Sequence, residues 1–475
     1  MQTDELEHLS NEELIQLLLA QSEQLGKLQA AFEQLKAEYE ALQYKFKHNQ
    51  KKPPTTPKNS SQPPSRDQKS KKPKHHGRKR KHGPPAGHEP HVRPMVSHPD
   101  QVVELHPQCC HTCQAEVRQV EGRLVRVNQI TELPPSSAQV IEVRQYAVDC
   151  PECGQAEVAQ PPAGLEMERS FGARLEATVV YYRQEQHLSY QRTQEALQAL
   201  NGVVISPGGI DHIMQRGGQS ALRQVPAIQN DVVQSAVIHS DETGCRVEAD
   251  NWWEWVFCTP QAVLHVIRDN RSTDVIREVM GERATQVWVS DCHSAQLKAP
   301  AQERQLCLAH QHRNLQALVE AEPGLLWPKE MQILFQYAIH VHHQRHTLSP
   351  PDFQILVDRV ERICDRLLNR PKPPPQIGKL LRRYQKHRPS LFVFLHRADV
   401  EPTNNLAERA LRPSVIHRKV TNGFRSSWGA KAYAAIASVI HSAERSGVNA
   451  FAAIQSLFGP PALPLQIRGD RGLTF

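Results

Sequence analysis

Two features that would place a protein in or across a membrane are missing from this sequence. No apolar run approaches the roughly 20 residues that a membrane-spanning helix needs. The first residues, Met1 to Glu7, are acidic and polar, whereas a secretory signal has a basic stretch followed by an apolar one. The sequence therefore predicts a cytoplasmic protein with no membrane association.

The cysteine content argues against a disulfide scaffold. The chain has 10 cysteines in 475 residues, and the thiols of a cytoplasmic protein stay reduced. Four of them form two Cys-x-x-Cys pairs, Cys110 with Cys113 and Cys150 with Cys153. Two intervening residues let the chain turn back, so that both thiolates of a pair reach one ion. The pairs therefore indicate a structural zinc site, and the alternative is reduced structural cysteines that happen to be paired.

Positive charge is in small excess but unevenly distributed. The net charge is +7, and a stretch rich in Pro, Lys, Ser and His carries a dense group of cations. These are Lys71, Lys72, Lys74, Arg78, Lys79, Arg80 and Lys81. Such runs attract nucleic acid by displacing condensed counterions, without reading its sequence. The alternative is a solvated linker that has no partner.

The N-terminal residues divide into two segments of different composition. Residues 1–48 carry a heptad seam of apolar side chains, which predicts a coiled coil that joins subunits into a homo-oligomer. The alternative is an amphipathic helix that packs on its own protein. Residues 49–99 are rich in Pro and Lys and poor in apolar residues, so they are predicted to form a disordered basic linker.

Residues 100–163 combine the two cysteine pairs with segments of alternating polarity. Examples are Leu124–Ile130 and Gln139–Val148. The combination predicts a small β-rich, zinc-ribbon-like module. Because so short a segment buries little core, zinc is expected to supply folding energy.

Residues 164–230 are predicted to be helical. One helix ends at Gly202, and a second begins at Ser206-Pro207, where Ser suits the N-cap and Pro suits the first turn. Two helices joined by a short turn are typical of a helix-turn-helix that binds DNA. Plain helical packing is the alternative.

Residues 231–458 have the pattern of an α/β domain of the ribonuclease H-like type. The predicted strands are Ala236–Asp241, Trp252–Thr259, Ala262–Ile267 and Gln286–Asp291. With a helix predicted over 272–280, this pattern indicates a central sheet covered by helices. The first and last of these strands each end in an aspartate, and substrate sites of such sheets lie at the carboxyl ends of strands.

Asp241 and Asp291 are therefore candidates for metal-assisted phosphodiester chemistry. Two hard divalent ions ~3.5–4 Å apart both activate a water and stabilise the leaving oxygen, and carboxylates hold them. Asp241 would bridge the ions, whereas Asp291 and a third carboxylate would each hold one. A lone Asp at the end of a strand is more often a loop cap.

Three runs of residues carry a resemblance to a known family. They are Asp241-Glu242-Thr243-Gly244, Thr403-Asn404-Asn405-Leu406-Ala407-Glu408-Arg409-Ala410-Leu411-Arg412-Pro413 and Asn422-Gly423-Phe424-Arg425-Ser426. Over most of residues 102–458, the chain resembles the DDE-type transposases of bacterial insertion-sequence family sixty-six. Ser294-Ala295-Gln296, after the second aspartate, resembles a sub-branch with a Ser-Ala-Gln signature.

The resemblance implies a function for the whole chain. Glu408 would be the third catalytic acid beside Asp241 and Asp291, with magnesium or manganese as the cofactor. A helical insertion over about 315–400 would precede Glu408, and 459–475 would be a C-terminal tail. The partners would be the DNA of the element ends and of the target, in the nucleoid, with accessory transposition proteins as further candidates.

Basic residues shortly after Glu408 are candidates for phosphate contacts. They are Arg412, Arg418, Lys419 and Arg425. The alternative is that they are exposed helix charges.

Two other functions remain open at the level of sequence. One is a non-catalytic, transposon-derived DNA-binding protein, and the other is a structure-selective nuclease of the same fold. All three acids and both cysteine pairs are present, which favours the transposase.

Overall fold

The computed structural model describes residues 94–133, 136–167, 169–371 and 373–459, together with Gln24 and Gln29, which are helical and exposed. The predicted coiled coil otherwise lies outside the described residues. So do the linker up to residue 93 and the tail after residue 459.

Strands and helices are numbered here in chain order over the described residues. The strands are β1 Ala147–Asp149, β2 Ala156–Val158, β3 Val237–Val247, β4 Asp250–Cys258, β5 Val263–Arg268, β6 Thr285–Ser290 and β7 Ala301–Leu306. The first helices are α1 Ala173–Gln184, α2 Tyr190–Asn201, α3 Pro207–Gln234, α4 Thr273–Met280, α5 Leu308–Ala321 and α6 Trp327–His343. The remaining ones are α7 Pro350–Leu368, α8 Gly378–Lys386, α9 Val393–His396, α10 Asn405–Thr421, α11 Ser427–Arg445 and α12 Ala450–Ser456.

A five-stranded mixed sheet of order β5-β4-β3-β6-β7 organises the second half of the chain. β3, β4 and β5 are antiparallel, whereas β6 and β7 run parallel to β3. This sheet and its covering helices are compatible with the predicted ribonuclease H-like domain.

Asp241 lies inside a strand, and the prediction that its strand ends there is wrong. β3 continues to Val247 because β4 pairs with it along its length, with Asp241 opposite Val256. The parallel neighbour β6 pairs with β3 only as far as His239. Asp241 therefore lies just beyond the end of the parallel pairing, and Asp291 directly follows β6.

Hydrophobic side chains from both sheet and helices form the largest core. Trp255, Phe257 and Trp288 of the sheet belong to one buried cluster with side chains of α1, α2, α3 and α11. α3 begins as predicted, with the Ser206 hydroxyl accepting a hydrogen bond from the Gly209 N–H and Pro207 in the first turn. The helical segment 164–230 thus shares its core with the sheet.

A second buried cluster lies against the β6–β7 half of the sheet. It joins Val287, Val289 and Leu306 to side chains of the helices between β7 and α10. These helices include α8, whose Tyr384 is fully buried in the cluster.

Helix α11 covers the outer edge of β5. Two serine hydroxyls of α11, one helical turn apart, accept hydrogen bonds from backbone N–H groups on the edge of β5. Ser438 accepts from His265 at 2.8 Å, and Ser442 accepts from Val263 at 3.0 Å. Because an uncovered edge strand pairs with other chains, these bonds protect the sheet.

The segment with the cysteine pairs is less β-rich than predicted. Among its described residues, the named strands are β1 and β2, of three residues each. Leu124, Ile130 and Val140 lie in extended chain outside strands and are more than 80% exposed. Within the described part of the chain, no strand pairs with Leu124–Ile130, and of Gln139–Val148 only Ala147 and Val148 pair, in β1 with β2.

Candidate functional site

Helix α10 runs along the edge of β3 that β6 leaves unpaired. Three carbonyls of that edge accept hydrogen bonds: Ser240 from the Asn404 side-chain amide at 2.8 Å, Gly244 from Arg418, and Arg246 from the Phe424 N–H at 2.8 Å. Buried carbonyls need such donors. Satisfying them fixes the first turn of α10, which carries Glu408, beside the strand that carries Asp241.

Asn404 connects three elements at this point. It is fully buried. Its backbone N–H donates to Cys307 Sγ at 3.1 Å, and its side chain donates to β3. The N–H of Leu308 donates to the Pro402 carbonyl at 3.0 Å next to it. These hydrogen bonds fix the start of α10 beside the C-terminal end of β7 and the N-terminal end of α5.

This arrangement places Asp241 within electrostatic range of Asp291 and Glu408, although in the described structure the ligand atoms of the three acids do not all lie within 4.8 Å of one another. The pKa of Asp241 is raised well above its usual value, first by burial and then by the negative charges of Glu242 and Asp291, with a further contribution from Glu408. Like charges raise a carboxyl pKa only when they lie close. The acids come from the interior of β3, the end of β6 and the start of α10.

Each of the three carboxylates has few hydrogen-bond donors. Asp241 Oδ1 accepts from the Glu242 N–H at 2.9 Å, and Asp291 Oδ1 accepts from the His293 N–H at 2.8 Å. Glu408 Oε1 is buried without a hydrogen-bond partner in the described structure.

Two basic side chains of α5 face Glu408. Its Oε1 is 3.5 Å from His310 Nδ1, and its Oε2 is 3.7 Å from the Arg313 guanidinium. Burial lowers the pKa of His310, and Arg313 lowers it further, whereas Glu408 and Asp291 oppose this shift. The sequence gave no indication of Arg313, which lies one helical turn after His310.

Glu242, next to Asp241, is held on the opposite face of the sheet. Arg271 donates to its Oε1 from two nitrogens, at 2.9 and 2.6 Å, and the Gln296 amide donates to its Oε2 at 2.6 Å. The Glu242 side chain is 1% exposed. Arg271 thus compensates the negative charge of Glu242. In this respect Glu242 differs from Asp241.

Gln296 connects the loop after Asp291 to the strand of Asp241. Its amide also donates to Ser240 Oγ at 3.2 Å, and its carbonyl oxygen accepts from Trp288 Nε1 at 2.9 Å. Gln296 is fully buried. Sequence reasoning placed it in a signature but did not identify these bonds.

The donor set of the acid cluster fits a hard divalent cation. Carboxylate oxygens are the ligands that magnesium and manganese prefer. The unpartnered Glu408 oxygen and the crowded charges around Asp241 both leave negative charge that a cation stabilises.

A soft-metal alternative at the same place fits less well. Cys307, His310 and Glu408 have ligand atoms within 4.8 Å of one another, the one such group in the described part of the chain. Burial raises the pKa of the Cys307 thiol to about 11, and its sulfur already accepts the Asn404 N–H. When no ion is bound, burial therefore favours the neutral thiol at Cys307.

The two cysteine pairs form matching turns. The N–H of Cys110 donates to the Ala115 carbonyl, and the N–H of Cys150 donates to the Gln155 carbonyl, both at 2.8 Å. Backbone hydrogen bonds from Cys113 and Thr112 lower the pKa of the Cys110 thiol. Equivalent bonds from Cys153 and Glu152 lower the pKa of the Cys150 thiol.

Within the described residues, the structure does not bring the four thiols together as one group of ligands. Each turn is preformed for a thiolate pair, and the closure of a four-cysteine site stays a prediction.

The predicted DNA-binding residues fall into two groups. The basic run from Lys71 to Lys81 lies outside the described residues. Of the residues after Glu408, Arg412, Lys419 and Arg425 are exposed, whereas Arg418 is bound to the β3 edge.

One comparison with known proteins identifies a family for this chain. A model of the Transposase IS66 family matches residues 168–432. Because this range covers more than half of the chain and contains the sheet, all three acids and the start of α11, the chain belongs to that family. No curated protein gives a significant match. No helix in the described part of the chain combines the length and apolar character needed to cross a membrane.

Proposed function

We propose that the chain is a transposase that cleaves DNA at the ends of an insertion sequence and joins the freed 3′-hydroxyl to target DNA. The proposal is supported by the placement of Asp241 just beyond the parallel pairing of β3, of Asp291 directly after β6, and of Glu408 in the first turn of α10 beside β3. Burial and then nearby negative charges raise the pKa of Asp241. Two divalent ions, magnesium or manganese, would be held by these carboxylates, and they supply an activated water and a stabilised leaving oxygen.

The other residues of the cluster position this chemistry. Gln296, of the Ser-Ala-Gln signature, would hold the Asp291 loop against β3, and Asn404 would hold the first turn of α10. Arg313 and His310 would orient Glu408. These contacts fix the separation of the three acids, on which a two-ion arrangement depends.

Binding of the DNA would fall to the basic and cysteine-containing parts of the chain. The run from Lys71 to Lys81 would supply non-specific affinity, and the zinc module with α2 and α3 would recognise the element ends. Arg412, Lys419 and Arg425 would contact phosphates. The coiled coil would pair subunits so that both ends are processed together, with or without accessory proteins.

A strand-transfer assay tests the proposal. Labelled DNA with the ends of the encoding element is incubated with the protein and magnesium or manganese, and cleaved and joined products are separated. Asp241→Asn, Asp291→Asn and Glu408→Gln should bind this DNA but form neither product. Glu282→Gln, an exposed acid at the end of α4, serves as the matched control and should keep both steps.

The assay also separates the other functions. Cleavage without joined products would indicate a nuclease of the same fold. Binding by wild type that no acid substitution alters, without any product, would indicate a DNA-binding protein.

A further inference from the structure

An open cleft lies where the C-terminal end of α10 meets the β3–β4 hairpin. Its volume is about 380 Å³. The side chains that line it include Arg246, Asn251, Trp252, Trp253, Arg418 and Asn422. From this lining we infer that the cleft binds an unpaired nucleotide of the DNA strand engaged at the acid cluster. The inference rests on the proposed function, because it assumes that the bound polymer is DNA.

Charge and aromatic character together favour a nucleotide. Two guanidinium groups line the cleft together with Trp252 and Trp253, and none of the described residues that line it is acidic. The two tryptophans are successive residues of β4, so their indoles lie on opposite faces of the strand and one base can stack on only one of them. Indole faces stack on any nucleobase, and arginine pairs with the phosphate beside it. An acidic peptide would use the cations but would gain little from two tryptophans.

Both arginines are held in place by neighbouring groups. Arg246 donates to Asn251 Oδ1 at 3.0 Å, and Arg418 donates to the Gly244 carbonyl and to Thr243 Oγ1. Each guanidinium has five N–H donors, so donors remain for a phosphate. A guanidinium that is already oriented loses less side-chain entropy when it binds.

The floor of the cleft is open because of one glycine. A Cβ built on Gly244 meets no atom within 4 Å, although Trp253 lies directly opposite in the β3–β4 ladder. Positive φ angles are found at Asn422 (59°) and Gly423 (104°), and a Cβ at Gly423 would approach the Arg246 carbonyl to 2.6 Å. The close approach of Gly423 to the backbone of Arg246 forms one wall of the cleft. The space next to Gly244 contains no other atoms and is free for a ligand.

The cleft and the acids share β3 and α10, although Gly244 and Asp241 lie on opposite faces of β3 because side chains alternate along a strand. Gly244 is three residues after Asp241 on β3, which is about 10 Å at ~3.3 Å per residue. That distance corresponds to roughly three nucleotides of a B-form strand. Helix α10 carries Glu408 at one end and Arg418 near the other, so one rigid element spans both sites.

Fluorescence of a base analogue tests the inference without any catalytic step. The full-length protein is titrated, with no magnesium or manganese added, against single-stranded and duplex forms of one oligonucleotide that carries a fluorescent adenine analogue. Trp252→Ala should weaken single-strand binding roughly 5- to 150-fold, the range that stacking on one aromatic ring provides. The quenching of the analogue should also be lost, whereas Trp252→Phe should retain most of both.

Three further variants complete the design. Gly244→Val fills the open floor without a backbone conflict and should reproduce the loss. Arg246→Ala should weaken binding and reduce the salt dependence by about one phosphate contact. Trp428→Ala, a tryptophan that is 41% exposed and outside the cleft, should behave as wild type.

The results that overturn the inference differ from those that overturn the proposed function. Equal affinity and quenching for Trp252→Ala and Trp428→Ala would refute stacking. A loss confined to Arg246→Ala would show a phosphate contact alone and would also refute the nucleotide site. Loss in every variant, together with lowered melting temperatures, would show that the hairpin is only structural. Because no catalytic metal ion is added, strand cleavage does not occur, and failure of the acid variants in strand transfer leaves these readouts unchanged.

Discussion

Replacing Gln296 with methionine removes a hydrogen-bonding hub while keeping most of the side-chain volume. Gln296 is fully buried and bonds Trp288, Ser240 and Glu242, which lie on two strands. In the variant, the Trp288 N–H and one Glu242 oxygen would lose their partner inside the core. Each such group costs about 1–3 kcal/mol, and a charged group costs more. We therefore expect Gln296→Met to lower the free energy of unfolding by about 2–6 kcal/mol.

Urea unfolding of the full-length protein, monitored by tryptophan fluorescence, measures this loss. The control is Gln261→Met, because Gln261 is exposed in the turn before β5 and should change stability by less than about 0.5 kcal/mol. Strand cleavage at a temperature where the variant remains folded should also fall, because the Asp291 loop is no longer tied to β3. If the free energy of unfolding of Gln296→Met were within about 1 kcal/mol of the wild-type value, the hydrogen bonds of Gln296 would not stabilise the core as expected.

Two further predictions concern groups away from the acids. Burial, and then the charge of Glu444, raises the pKa of Glu185 to about 7. A raised carboxyl pKa lowers stability as pH rises from about 4 to 7, so Glu185→Gln should stabilise the protein by about 1–3 kcal/mol at pH 8 and have no effect near pH 4; equal effects in urea unfolding at both pH values would contradict this. Purified wild type is expected to contain zinc and Cys110→Ser to contain less, and equal zinc contents in elemental analysis would exclude Cys110 as a ligand.

Local patterns predicted many of the regular elements. The serine N-cap at Ser206 was predicted because a cap depends on residues close in sequence. The helix predicted over 272–280 is α4, which Ser272 caps. The apolar strands before Asp241 and Asp291 were recognisable in the same way. Trp255 and Phe257 occupy the buried face that their alternation predicted.

Contacts between distant residues were beyond the reach of such patterns. The bond from Asn404 to the Ser240 carbonyl joins residues 164 positions apart, and no local periodicity encodes it. The length of β3 depends on pairing with β4 and on the path of α10. In the segment 100–163, an alternating pattern predicted strands, but alternation forms a strand only where a partner supplies hydrogen bonds.

Substitution of each acid by cysteine tests the central claim most directly, that Asp241, Asp291 and Glu408 hold the divalent ions of a DNA-cleaving site. A thiolate binds magnesium poorly and manganese better, whereas a carboxylate binds both. The account predicts that Asp241→Cys, Asp291→Cys and Glu408→Cys lose strand cleavage in magnesium and regain part of it in manganese, while Glu282→Cys is active in both. Wild-type cleavage by the three variants in magnesium would contradict the account. So would a failure of manganese to restore cleavage in variants that still bind DNA.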